Sequence, residues 1–145
     1  MSLYGLPFDG IKGIRAEKTR LEGEEAKLDT DVASLKRAFV EVFGFSLPLN
    51  LVRVRNNAYS PVMWRDLSKG RKARVLMKGG MSGEVWQGVL SSLPEDKRRV
   101  LLEIEFKRIH LSHALGLLQY EITRLKRLAG EFDTWRQLMR DVNQH

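Results

Sequence analysis

Between Arg53 and Lys78 the sequence RVRNNAYSPVMWRDLSKGRKARVLMK carries Arg53, Arg55, Arg65, Lys69, Arg71, Lys72, Arg74 and Lys78 against one acid, Asp66. This local excess equals the formal net charge of the whole chain, +7, so the flanking segments nearly cancel. A positive field confined to one stretch fits a polyanion, most often nucleic acid, with guanidinium and ammonium groups on phosphates. Asn57 and Tyr59 add a hydrogen-bonding amide and a ring that can stack on a base. The plainer reading is that Tyr59 and Trp64 pack in a core and the cations solubilise a sheet edge. Strand alternation puts Arg53, Arg55 and Asn57 on one face and need not bring Arg65 or Arg71 to it. The same alternation favours burial for Trp64 and leaves Tyr59 and the arginines as the better contacts.

Other chemistries have thinner support. With Cys 0 there is no disulfide, thiol nucleophile or zinc-thiolate site. Gly79–Gly80–Met81–Ser82–Gly83 could cradle an anion, but Lys78 precedes the glycines and no Gly-Lys-Ser/Thr closes them, so it reads as a flexible turn. His110 and His113 share a helix side, yet Glu103, Glu105 and Glu121 read as helix-surface acids and no ligand set forms, so no metal is expected. No Gly-x-Ser-x-Gly elbow occurs, and no cofactor or catalytic residue is assigned. The charge-dense runs Glu22–Lys27 and Glu95–Arg99 read as solvated helix faces.

The elements that must position the basic stretch follow from periodicity. Residues 1–12 form an irregular lead-in. Ile14, Leu21, Leu28, Leu35 and Val42 recur every seven residues and predict a long helix over 14–43, with Gly44 as its C-cap. Its first half carries a thin seam that also suits pairing with a second copy, which makes a homodimer an expectation. Alternation then predicts a basic three-stranded antiparallel meander over 49–78, with Pro61 opening the middle strand. A short helix is expected over 84–91, and Ser92-x-x-Glu95 reads as a capping box before a long helix over 93–130. Ile104, Leu111, Leu115, Leu118, Ile122, Leu125, Ala129 and Phe132 form its stripe, which Leu102, Phe106, Ile109, Leu117 and Tyr120 widen. Gly130 ends or bends it ahead of a C-terminal helix over 131–143. The fold class is therefore α+β, one domain of 145 residues, in which a long antiparallel helical pair carries the meander and short helix. No apolar run of about 18 residues and no leader pattern occur, so a cytoplasmic protein away from membranes is expected.

Val62–Met63–Trp64–Arg65 and Glu105–Phe106–Lys107–Arg108–Ile109–His110–Leu111–Ser112 together resemble an uncharacterised bacterial family encoded by integrating conjugative elements. Proteins of that family carry an L-R-W-R-like strand motif and an E-x-x-R-I-x-L-N-like helical motif. Met63 stands here for the first arginine of the strand motif and Ser112 for the favoured asparagine. The resemblance spans roughly residues 45–127. It implies an accessory protein of a mobile DNA element, with no activity or catalytic residue to carry over, and it favours DNA among polyanions. The expected function is therefore non-enzymatic nucleic-acid binding through Arg53, Arg55, Asn57, Tyr59, Arg65, Lys69, Arg71, Lys72, Arg74 and Lys78. The alternative is a structural or regulatory protein–protein interaction module built on coiled-coil-like helices.

Overall fold

The computed structural model describes residues 10–55, 61–70, 75–77 and 83–144. In chain order its elements are α1 (Gly10–Phe43), β1 (Leu49–Arg53), β2 (Val62–Asp66), β3 (Val75–Leu76), α2 (Glu84–Ser92) and α3 (Glu95–Asn143). α1 and α3 are the long helical pair, and β1 with β2 makes a small antiparallel hairpin. The chain divides into two compact units, Met1–Lys27 with Leu117–His145, and Leu28–Gly116. Each long helix contributes to both.

In the first unit, Ile14 and Leu21 of α1 are buried with Ile122 and Leu125 of α3, and Leu118, Leu128, Ala129 and Phe132 pack against them. The thin heptad seam is thus satisfied within the chain. Around it, Arg20 pairs with Glu17 and Glu24, and Lys18 with Glu22, as a solvated helix face would. Beyond Phe132 the last turns of α3 are exposed, including Trp135, Leu138, Met139 and Val142.

The second unit holds the larger core. Val32, Leu35, Phe39 and Phe43 of α1 meet Leu101, Ile104 and Leu115 of α3, Trp86 and Val89 of α2, and Leu49, Leu51, Val62 and Trp64 of the hairpin. Four rings run through it in series: Phe43 to Phe39, Phe39 to Trp64 and Trp64 to Trp86, each pair with centroids 5.2 Å apart. Tilted and edge contacts of this kind contribute about 0.5–1.5 kcal/mol each beyond area burial. They hold the hairpin's inner face, where Leu51 stands opposite Trp64.

Several boundaries depart from the expectations. α1 starts at Gly10, so residues 10–12 of the lead-in are helical, and residues 1–9 lie outside the described residues. The three-stranded meander is replaced by the β1–β2 ladder of five residue pairs; among the described residues β3 adds two pairs, Arg65 with Leu76 and Asp66 with Val75. Pro61 sits just before β2, and its carbonyl still accepts the Val54 N–H at 2.7 Å. Having no N–H, it cannot return the second bond of that pair, which limits the strand's start.

The capping box does not form, because Ser92 is the last residue of α2 and its hydroxyl donates to the Val89 carbonyl at 2.8 Å. α3 opens instead with Glu95 and Asp96, whose charges complement the helix N-terminus. α3 also runs unbroken through Gly130, so the separate C-terminal helix is its continuation. The good helix formers around Gly130 outweigh its propensity cost of about 1 kcal/mol.

Two glycines test this assignment in opposite directions. Gly44 caps α1 at φ 55, donating its N–H to the Val40 carbonyl at 2.7 Å, whereas Gly130 is helical with open space where a Cβ would stand. Gly44→Ala should lower unfolding stability by about 1 kcal/mol and Gly130→Ala should raise it by about 0.5–1 kcal/mol. Chemical denaturation of the two variants measures both signs.

Candidate nucleic-acid interface

Within the second unit, two charged clamps fix the basic hairpin to α1 and α3. At the end where β1 connects to β2, Arg53 Nε donates to Asp29 Oδ1 of α1 at 2.6 Å, and Nη1 donates to the Val54 and Pro61 carbonyls at 2.9 and 3.3 Å. The Arg53 side chain is only 9% exposed, so its guanidinium ties β1 to α1 and to the start of β2. Arg55 shares the same acid through Asp29 Oδ2 at 3.2 Å but is 66% exposed. One carboxylate thus organises two arginines while leaving the second facing solvent.

The other clamp comes from α3. Glu105 is 5% exposed, and its Oε2 accepts the Trp64 Nε1–H at 2.6 Å. Its Oε1 accepts from Arg108 Nε at 2.6 Å, and the two side chains form a nearly buried ion pair. Arg108 Nη1 then donates to the Val62 carbonyl at 2.9 Å, and Ser112 Oγ accepts the Val62 N–H at 3.3 Å. Both peptide groups of Val62 are therefore completed by α3 side chains. In the ladder Val62 faces Arg53 at a pair whose backbone groups point away from β1, toward the side where β3 runs. On that side the Met77 N–H donates to the Trp64 carbonyl at 2.9 Å, and Arg108 and Ser112 make the bonds at Val62.

Glu105 was expected on the surface, and the sequence held a signal against that. Leu101, Glu105, Arg108, Ser112 and Leu115 follow one another at steps of four and three, so the polar residues lie on the buried stripe. Leu102, Phe106 and Ile109, expected to widen that stripe, are exposed on the other side, as are Leu117 and Tyr120. The strand and helix motifs also prove to be in contact: Trp64 and Val62 of one bind Glu105, Arg108 and Ser112 of the other.

Of the remaining site residues, Lys69 is exposed in the turn after β2 and Arg65 is half-buried on the hairpin face opposite Trp64. Arg65 Nε is buried without a partner. Hydrogen bonds from Ser68, through its hydroxyl and its N–H at 2.9 Å, hold the Asp66 carboxyl below its ordinary range, and Lys69 adds to the effect. This acid stabilises the turn rather than neutralising the arginines of the hairpin. Asn57, Tyr59, Arg71, Lys72, Arg74, Lys78 and Gly79 to Ser82 lie outside the described residues. His110 lies against Phe106 with ring centroids 4.5 Å apart, and His113 is exposed. No group of three or more potential metal-ligating side chains gathers among the described residues, and none of their helices is long and apolar enough to cross a membrane.

Breaking the α3 clamp has a graded expected cost. Glu105→Ala leaves Arg108 buried without its counter-charge and should destabilise the protein by about 3–5 kcal/mol. Glu105→Gln keeps an acceptor for Trp64 and should cost less. Urea unfolding of the two variants checks the order. No family model matches the chain, and no curated protein or solved structure matches it either.

Proposed function

We propose that this chain is a non-enzymatic nucleic-acid-binding protein that engages the phosphodiester backbone through the basic hairpin surface. The observation that carries this reading is the confinement of the net positive charge to Arg53–Lys78, in a segment anchored by one surface-facing acid and one buried one. Arg53 has its donors committed inside the fold, so the contacts fall to Arg55, Arg65 and Lys69 and, from sequence, to Asn57, Tyr59, Arg71, Lys72, Arg74 and Lys78. The resemblance to proteins of integrating conjugative elements favours DNA as the polymer, in an accessory role.

Fluorescence anisotropy at a series of salt concentrations tests this. Affinity should fall steeply with salt, and replacing Arg55, Lys69, Arg71 and Arg74 by Ala should weaken binding for all sequences and flatten the logarithmic salt slope by about one per phosphate contact removed. Wild-type protein without affinity for DNA or RNA at low salt would sink the proposal.

A second reading, a helical interaction module, is favoured by Leu102, Phe106 and Ile109, which stand exposed at steps of four and three on α3. Phe106, 64% exposed, also borders a cleft of about 640 Å3 with His110 and Lys107 of α3 and Asp31 and Ser34 of α1. Its simplest occupant is a second copy, with α3 meeting α3 about a two-fold axis. Light scattering should then show a dimer that Phe106→Glu with Ile109→Glu dissociates; a wild-type monomer at all concentrations argues against it.

A further inference from the structure

On the hairpin face opposite Trp64, Asn50 of β1 and Arg65 of β2 are direct cross-strand partners. Asn50 Oδ1 and Arg65 Nε are both buried, and neither has a hydrogen-bond partner. A buried acceptor and donor on paired residues are each costly unless a water or a guest completes them. They border a cleft of about 240 Å3 whose other walls include Lys36 and Val40 of α1, Phe45 of the following turn and Val52 of β1. Phe45 is 76% exposed. Among the described residues, neither Lys36 nor Arg65 takes part in an ion pair.

The pairing of groups selects the guest. A simple anion would satisfy Arg65 but would set its negative charge against the Asn50 carbonyl oxygen. A hydrocarbon would satisfy neither. The Watson–Crick edge of a nucleobase offers an acceptor beside a donor, the complement of Nε–H beside Oδ1. The apolar walls suit the faces of a planar ring, and Lys36 suits the flanking phosphate.

We propose that this cleft binds the Watson–Crick edge of one unpaired nucleobase, with Arg65 donating, Asn50 accepting and Phe45 against the ring. Entry requires both buried atoms, Arg65 Nε and Asn50 Oδ1, to turn toward the cleft. Base pairing occupies the same edge, so the site admits single strands and excludes duplex. The inference rests on the hairpin's reading as a nucleic-acid surface and adds strandedness and base selection to it. Arg65 then reads a base and leaves phosphate contact to its neighbours.

The test compares labelled homo-oligonucleotides of the four bases, and a duplex of equal length, on the full chain and on two variants. Arg65→Lys keeps the charge but loses the planar Nε–H donor, and Asn50→Ala removes the acceptor without changing charge. Wild type should separate the best from the worst base by about tenfold and prefer single strands. Both variants should retain the wild-type salt slope and lose most of that separation. Equal binding of all four bases and of duplex, or variants with undiminished discrimination, overturns the proposal.

Nucleoside monophosphates provide a reading independent of polymer affinity and of variant folding. They should shift the Asn50 side-chain amide NMR signals of wild type, whereas ribose 5-phosphate should not. Should the protein bind no polymer, the hairpin reading fails, and the same titration decides the cleft: absence of a base-dependent shift removes it.

Discussion

The second unit depends on how the buried Glu105 carboxyl group is given partners inside the core. Taking such a group out of water costs several kcal/mol unless its lone pairs are fully used. Trp64 Nε1 and Arg108 use them, from a strand and from the next turn of the same helix. Arg108 is in turn completed by the Val62 carbonyl. The result fixes orientation as much as stability: a strand displaced by one residue would turn Trp64 outward and leave Glu105 without its indole. Since the hairpin is short, with five residue pairs in its ladder, this side-chain register is what its own backbone bonds could not secure alone.

The two clamps divide the arginines by task. Arg108 and Arg53 are enclosed and spend their donors on carboxylates and carbonyls of the fold. Arg55 and Lys69 are exposed, and their charges reach solvent from a frame that the enclosed pair holds in place. A count of basic residues cannot make that distinction, because the same residue type serves both purposes. The packing of Trp64 against Phe39 and Trp86 completes the frame, and it removes this indole from any stacking role.

Much of the helical frame was readable from spacing. The heptad residues of α1 are buried or half-buried where they fall, Gly44 caps the helix, and α2 stands where its apolar spacing places it. The hairpin and the burial of Trp64 also follow from alternation. The errors have physical causes. Leu102, Phe106 and Ile109 are apolar but exposed, while Glu105 and Ser112 are polar but buried, because the hairpin offers α3 partners that hydropathy does not register. Asn50, whose carbonyl oxygen is buried without a partner, had no sequence signal beyond being a polar residue in an apolar strand.

A double-mutant cycle on Trp64→Phe and Glu105→Ala, each of which removes the bond, read by equilibrium urea unfolding, addresses the central claim that the indole and the carboxylate stabilise each other across the strand–helix contact. The account predicts a coupling free energy of at least about 1 kcal/mol, as for a buried hydrogen bond to a charged group. Additive effects of the two substitutions, with coupling near zero, would contradict it.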